Sequence, residues 1–173
     1  MKRTITTLIL ALSLLIGFQL MVAAQAGAEP LNFKLVSMID KVERVKISQT
    51  EGTIIGVMDR RGLSIFENGE VAPASCTGTF DTKKGFQGYS SIIFEDGSTL
   101  VLSWKGPTSV SRPPGGKFLI YSADFECAEG TGRFKGVKGS GTLTGKEVQW
   151  DDEYKAMGFA LYEFAGTYTL PSE

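Results

Sequence analysis

The sequence predicts an all-β fold, a closed antiparallel β-barrel of about eight strands, with a β-sandwich as the runner-up. Three observations carry that reading. Apolar and polar residues alternate along most of the chain, with β-branched and aromatic enrichment, which is the period of two that half-buried strands require. Turn residues punctuate the alternation at short intervals, and helical spacing is nearly absent. Closure is expected because an open antiparallel sheet leaves two edges of unpaired backbone, whereas a barrel leaves none.

The first segment stands apart. Met1-Lys2-Arg3, the apolar run Leu8–Val22 and Ala24-Gln25-Ala26 form the basic, apolar, small-residue order of a secretory signal peptide. Residues 1–26, or alternatively 1–28, are expected to be cleaved, leaving 27–173 as a single barrel domain that is periplasmic or extracellular and carries no membrane segment. An uncleaved anchor is the rival, since Ile5–Ala24 approaches the ~20 apolar residues of a bilayer span, but Gln19 and the Ala-x-Ala weigh against it. The chain has 18 basic and 19 acidic residues, so losing Lys2 and Arg3 takes the net charge from −1 to −3. The remaining cations, among them Arg60, Arg61, Arg112, Arg133 and Lys135, are scattered and form no basic stripe, which argues against a nucleic-acid partner.

Leu35, Met38, Ile39, Val42 and Val45 have helical spacing, yet Phe33-Lys34-Leu35 and Val45-Lys46-Ile47 alternate, so two strands are expected there. Asn68-Gly69 and Asp96-Gly97 signal tight hairpins. With the second as a turn, Phe86, Ser90, Ile92 and Phe94 share one face, as do Leu100, Leu102 and Trp104 on the next strand. Gly106–Gly116 holds Pro107, Pro113 and Pro114 and reads as a surface loop, because proline donates no ladder hydrogen bond. Alternation resumes with Leu119, Tyr121, Ala123, Phe125 and Cys127 on one side. In Gly130–Gly145 the glycines, Gly130, Gly132, Gly136 and Gly139 among them, surround one aromatic, Phe134, a structural turn expected to plug that ring into the core. Ser140–Val148 is a short strand, Gln149–Glu153 an acidic turn, and Tyr154–Leu170 a long final strand.

Cys76 and Cys127 are the two cysteines of the chain. Export and strand phase both favour a disulfide between them, which on the chain-entropy account would stabilise the fold by about 4 kcal/mol.

Glu129-Gly-Thr-Gly-Arg-Phe-Lys-Gly-Val-Lys-Gly, followed by Tyr162-Glu-Phe-Ala-Gly-Thr-Tyr-Thr-Leu-Pro171, resembles the glycine-rich turn and closing strand of the allene oxide cyclase-like and dirigent-like barrels, here in a secreted bacterial form. The resemblance covers about the last third of the chain beyond the leader. It implies an eight-stranded barrel around an apolar cavity, of the kind that plant members use to steer cyclisation or radical coupling. The matched positions are structural glycines and a packing phenylalanine, so they bring a fold and no catalytic residue.

There is no histidine, which removes Ser-His-Asp and Cys-His catalysis and the commonest zinc ligand. Gly130-Thr-Gly132 is not followed by the helix a phosphate loop needs, and Asp151-Asp152-Glu153 lacks the ligand spacing of a calcium loop, so no cofactor and no metal are expected. Glu163 is the weak candidate for catalysis. If its parity, shared with Met157, Phe159, Leu161 and Ala165, faces inward, an apolar setting would raise its pKa; if Tyr154, Ala160, Tyr162, Phe164 and Tyr168 face inward, it is solvated. Trp104, Tyr121, Phe125 and Phe159 are the candidate cavity walls, with plain core as the alternative. The expectation is an exported barrel that binds a small apolar or amphipathic ligand without catalysis. The alternatives are an isomerase or cyclase acting by substrate confinement and a structural module with a filled core. Nothing in the sequence addresses oligomeric state.

Overall fold

The computed structural model describes residues 27–47, 52–107, 118–148 and 158–172. The expected leader at 1–26, residues 108–116 of the Gly106–Gly116 loop, the acidic turn at Gln149–Glu153 and residues 154–157 of the expected final strand Tyr154–Leu170 fall outside the described residues. The strands are β1 (Glu29–Pro30), β2 (Phe33–Lys46), β3 (Ile54–Phe66), β4 (Val71–Asp81), β5 (Gly85–Ile93), β6 (Thr99–Gly106), β7 (Phe118–Gly130), β8 (Lys138–Val148) and β9 (Ala160–Thr169). The helical element among the described residues is one 3-10 turn, Gly132–Phe134. Each strand from β2 onward pairs antiparallel with the next, and β9 returns to β2 at Leu35↔Tyr162, closing an eight-stranded barrel. The extra strand, β1, lies along the other half of β9 at Glu29↔Tyr168.

Pleating sorts the residues. On β4, Ala72, Ala74 and Cys76 are buried while Val71, Pro73, Ser75 and Thr77 are exposed, as alternation requires when one sheet face encloses the core. The expected faces of β5 and β6 are realised in the same way, with Ser90, Ile92, Leu100 and Leu102 all buried. On the outer face Val36, Leu63, Ile65, Val71 and Ile93 remain exposed.

β2 corrects the expectation of two strands. It is one continuous strand of 14 residues whose register slips between Ile39 and Lys41, so that Asp40 is an extra residue. Leu35, Ser37 and Ile39 face inward before this bulge, whereas Val42 and Arg44 line the interior after it. The three-residue step from Ile39 to Val42 is what gives the segment its helical spacing. The two hairpins also differ in detail from a two-residue turn. Phe66 N–H donates to Glu70 O, and Phe94 N–H donates to Ser98 O, so each loop holds three residues and ends on a glycine with positive φ, Gly69 or Gly97.

One end of the barrel is plugged by aromatic rings. Phe134, 6% exposed, is delivered by the 3-10 turn and packs 4.8 Å from Phe94 between ring centroids. From there the contacts run through Phe66, Phe33 and Phe164 to Phe125 at spacings of 4.3–5.4 Å. The guanidinium of Arg133 lies over Phe94 and Phe134 and donates to both carboxylate oxygens of Glu70 at 2.7 Å. Its backbone N–H donates to Ser98 Oγ. The glycine-rich turn is thereby tied to the β3–β4 and β5–β6 connections, as its expected role as a core plug requires.

The expected Cys76–Cys127 disulfide is not formed; both thiols are free. The strand phases are as anticipated, since Cys76 pairs with Ser90, Ser90 with Leu102 and Leu102 with Cys127. That row places β5 and β6 between the two cysteines. Three interstrand steps of ~4.8 Å exceed the Cα separation a disulfide tolerates, even allowing for the curvature of the wall.

Candidate functional site

Away from the aromatic plug the interior opens into a cavity of about 510 Å³. Its walls are mostly apolar, with Ile39, Val42, Met58, Phe80, Phe86 and Leu119 above, and Leu35, Leu143 and Phe164 below. At its wall, aromatic rings pack against glycines of nearby strands. The indole of Trp104 on β6 covers Gly78 and Gly88, and the ring of Tyr121 on β7 covers Gly145 on β8, where a Cβ would stand 2.6 Å from the ring. A larger residue at any of these three glycines would displace the ring that covers it.

A polar cluster is set into this apolar wall. Arg60 projects inward from β3 and is 2% exposed, with Nη1 donating to Gly158 O at 3.0 Å and Nη2 lying 2.7 Å from Glu147 Oε2. The Nη2 approach is close but off the N–H axis, an ion pair rather than an aligned hydrogen bond, and Nε has no hydrogen-bond partner among the described residues. Tyr121 Oη donates to Tyr162 Oη at 2.6 Å and stands 3.5 Å from the same Glu147 oxygen. On the neighbouring wall Trp104 Nε1 donates to Ser90 Oγ at 3.0 Å, and Cys76 Sγ lies 3.1 Å from that oxygen.

The protonation states follow from burial and charge. Burial opposes the charge on Arg60, but the adjoining Tyr162, Glu147 and Tyr121 outweigh it, and the guanidinium stays above its ordinary pKa. Burial also pushes Tyr162 up to about 12 and Tyr121 well above the usual tyrosine range, so both hydroxyls keep their protons at neutral pH. The same desolvation raises Cys76, against the pull of the Ser90 hydrogen bond and of Arg60. Among the described residues the cavity therefore presents neutral phenols, a neutral thiol, the Arg60–Glu147 ion pair and the exposed Arg44. Burial keeps Tyr121, Tyr162 and Cys76 in their protonated forms, as hydrogen-bond donors.

The expected site residues divide. Trp104 and Tyr121 line the cavity. Phe125 is fully buried core beneath it, and Phe159 is 45% exposed, so neither forms its wall. Glu163 is on the outer face of β9, paired in register with Lys34 and 3.6 Å from its ammonium, while Tyr162 and Phe164 take the inward parity. That orientation removes Glu163 as an interior acid. Arg60 and Glu147 were missed by sequence reasoning. The available signal was parity, since Arg60 alternates in step with Met58, Ser64 and Phe66, and Glu147 with Leu143 and Gly145.

No protein-family model and no curated protein sequence matches the chain. Among solved structures, the pterocarpan synthase dirigent protein PsPTS1 is similar, with 14% sequence identity, a TM-score of 0.46, and coverage of 86% of this chain and 98% of that one. It is a likeness of backbone, and it carries no side-chain role across.

Proposed function

We propose that the protein is an exported barrel that binds one small, largely apolar molecule in its interior and performs no chemistry on it. The supporting observation is the cavity of about 510 Å³, within the size range of small-molecule sites and mostly apolar, with a few convergent polar groups at Arg60, Tyr162 and Ser90. That volume weighs against a filled structural core. Native mass spectrometry of protein taken from its own compartment tests the reading. The expected result is a small organic molecule retained by wild type and lost from Met58→Trp, which fills the cavity from its wall. An empty wild-type protein that also fails to take up the neutral fluorophore N-phenyl-1-naphthylamine overturns it. Export is tested separately by the mature N-terminus, expected at Gly27 or Glu29; a chain retaining Met1 overturns that part.

A cyclase or isomerase acting by confinement is the second reading, favoured by the two protonated tyrosine hydroxyls facing an apolar cavity. Conversion of the captured molecule by purified protein would replace the first reading with this one.

A further inference from the structure

We infer that the interior ligand presents a neutral hydrogen-bond acceptor, such as a ketone or ester carbonyl, and not a carboxylate, to the donors at the cavity floor. The inference rests on the ligand-binding reading above and specifies the chemistry of its ligand. Two adjacent donors have no acceptor among the described residues. One is Arg60 Nε, on a side chain that is 2% exposed. The other is the hydroxyl of Tyr162, which accepts from Tyr121 and has its own proton to give. Both residues line the cavity, and the Arg60 guanidinium carbon is 5.9 Å from the Tyr162 ring centroid, so the two unpartnered donors lie in one part of its wall.

The charge of that acceptor is limited by Glu147. Arg60 looks like an anion site, but its charge is already matched by the Glu147 carboxylate at 2.7 Å, whose side chain is itself only 18% exposed. A ligand carboxylate on the floor would leave two anions sharing one buried cation, with little water to screen them. A carbonyl oxygen satisfies the same donors without adding charge. Arg44 also lines the cavity, but it is exposed, so solvent screens its attraction for an anion before the ligand reaches the floor.

The test uses the mature full chain loaded with N-phenyl-1-naphthylamine and compares displacement by 2-tridecanone and by tridecanoate at pH 8, in wild type and in Glu147→Gln. Circular dichroism establishes that the variant is folded, and Glu147→Asp, which keeps the carboxylate, should retain the parent preference. The expected result is at least tenfold tighter competition by the ketone in wild type. Glu147→Gln, which frees the Arg60 charge, should shift the ratio at least tenfold toward the carboxylate. That shift separates charge balance from the simple difference in hydrophobicity between the competitors, which the substitution does not alter. Equal or tighter competition by the carboxylate in wild type, an unchanged ratio in Glu147→Gln, or displacement by neither compound overturns the inference while leaving a ligand-binding cavity in place. Failure of the fluorophore to bind wild type removes the cavity reading and the inference together.

Discussion

Arg60 is the residue with most at stake. Its guanidinium is almost fully removed from water, and the carboxylate of Glu147 is its ion-pair partner. Glu147→Ala is therefore expected to destabilise the fold by about 3 kcal/mol, because it leaves a buried charge uncompensated. The double variant Arg60→Met/Glu147→Leu should recover most of that loss, since two apolar residues of similar volume replace both charges. A urea-denaturation cycle over wild type, Arg60→Met, Glu147→Leu and Arg60→Met/Glu147→Leu reads this directly, and additive losses would contradict it. The tyrosines give a pH signature. Tyr162 has its pKa raised from the ordinary tyrosine value to about 12, so the native state holds its proton while the unfolded chain gives it up. The associated stability is present below pH ~10 and is lost as pH rises toward 12. Tyr162→Phe should flatten part of that alkaline decline, with tyrosinate absorbance reporting the late-ionising phenol in wild type.

At the scale of elements, the glycine-rich turn is stringent. Gly132 has φ +56, in the left-handed region, and a Cβ there would run into the Ser98 side chain. Gly132→Ala should cost about 1–3 kcal/mol, from backbone strain together with displacement of the Phe134 plug, measured as a lower thermal midpoint. Much of this level was legible from alternation alone. Phase on β4, β5 and β6 follows strict pleating, and the Asn-Gly and Asp-Gly signals mark real turns. What escaped was where phase breaks. Asp40 on β2 and Ala128 on β7 are passed over in the pairing, and a single-residue slip leaves no local mark in the sequence beyond a shift of parity. Arg60 escaped for another reason. A charge on an inward face is intelligible only beside its partner, and Glu147 lies five strands further along the chain.

At the scale of the molecule, the cysteines show what phase cannot supply. Both sit on the inward row, but a barrel separates residues around its circumference as well as along its strands, and two strands intervene. Reducing agent should leave the unfolding midpoint of native protein unchanged, and denatured, unreduced protein should yield two titratable thiols. A lower midpoint on reduction would contradict the free-thiol structure. Burial lifts the Cys127 thiol to about 11 and raises that of Cys76, so both should react slowly with thiol reagents before unfolding.

The aromatic stopper has a kinetic corollary. Because one end of the barrel is occupied by Phe33, Phe66, Phe94 and Phe134, a guest must leave by the opening through which it arrived. Entry and escape then cross one barrier in opposite directions. Ile54→Trp, which narrows the passage at the opposite end without touching the floor, should slow association and dissociation by the same factor and leave Kd where it was. Stopped-flow traces that show one rate altered and the other not would mean traffic passes elsewhere.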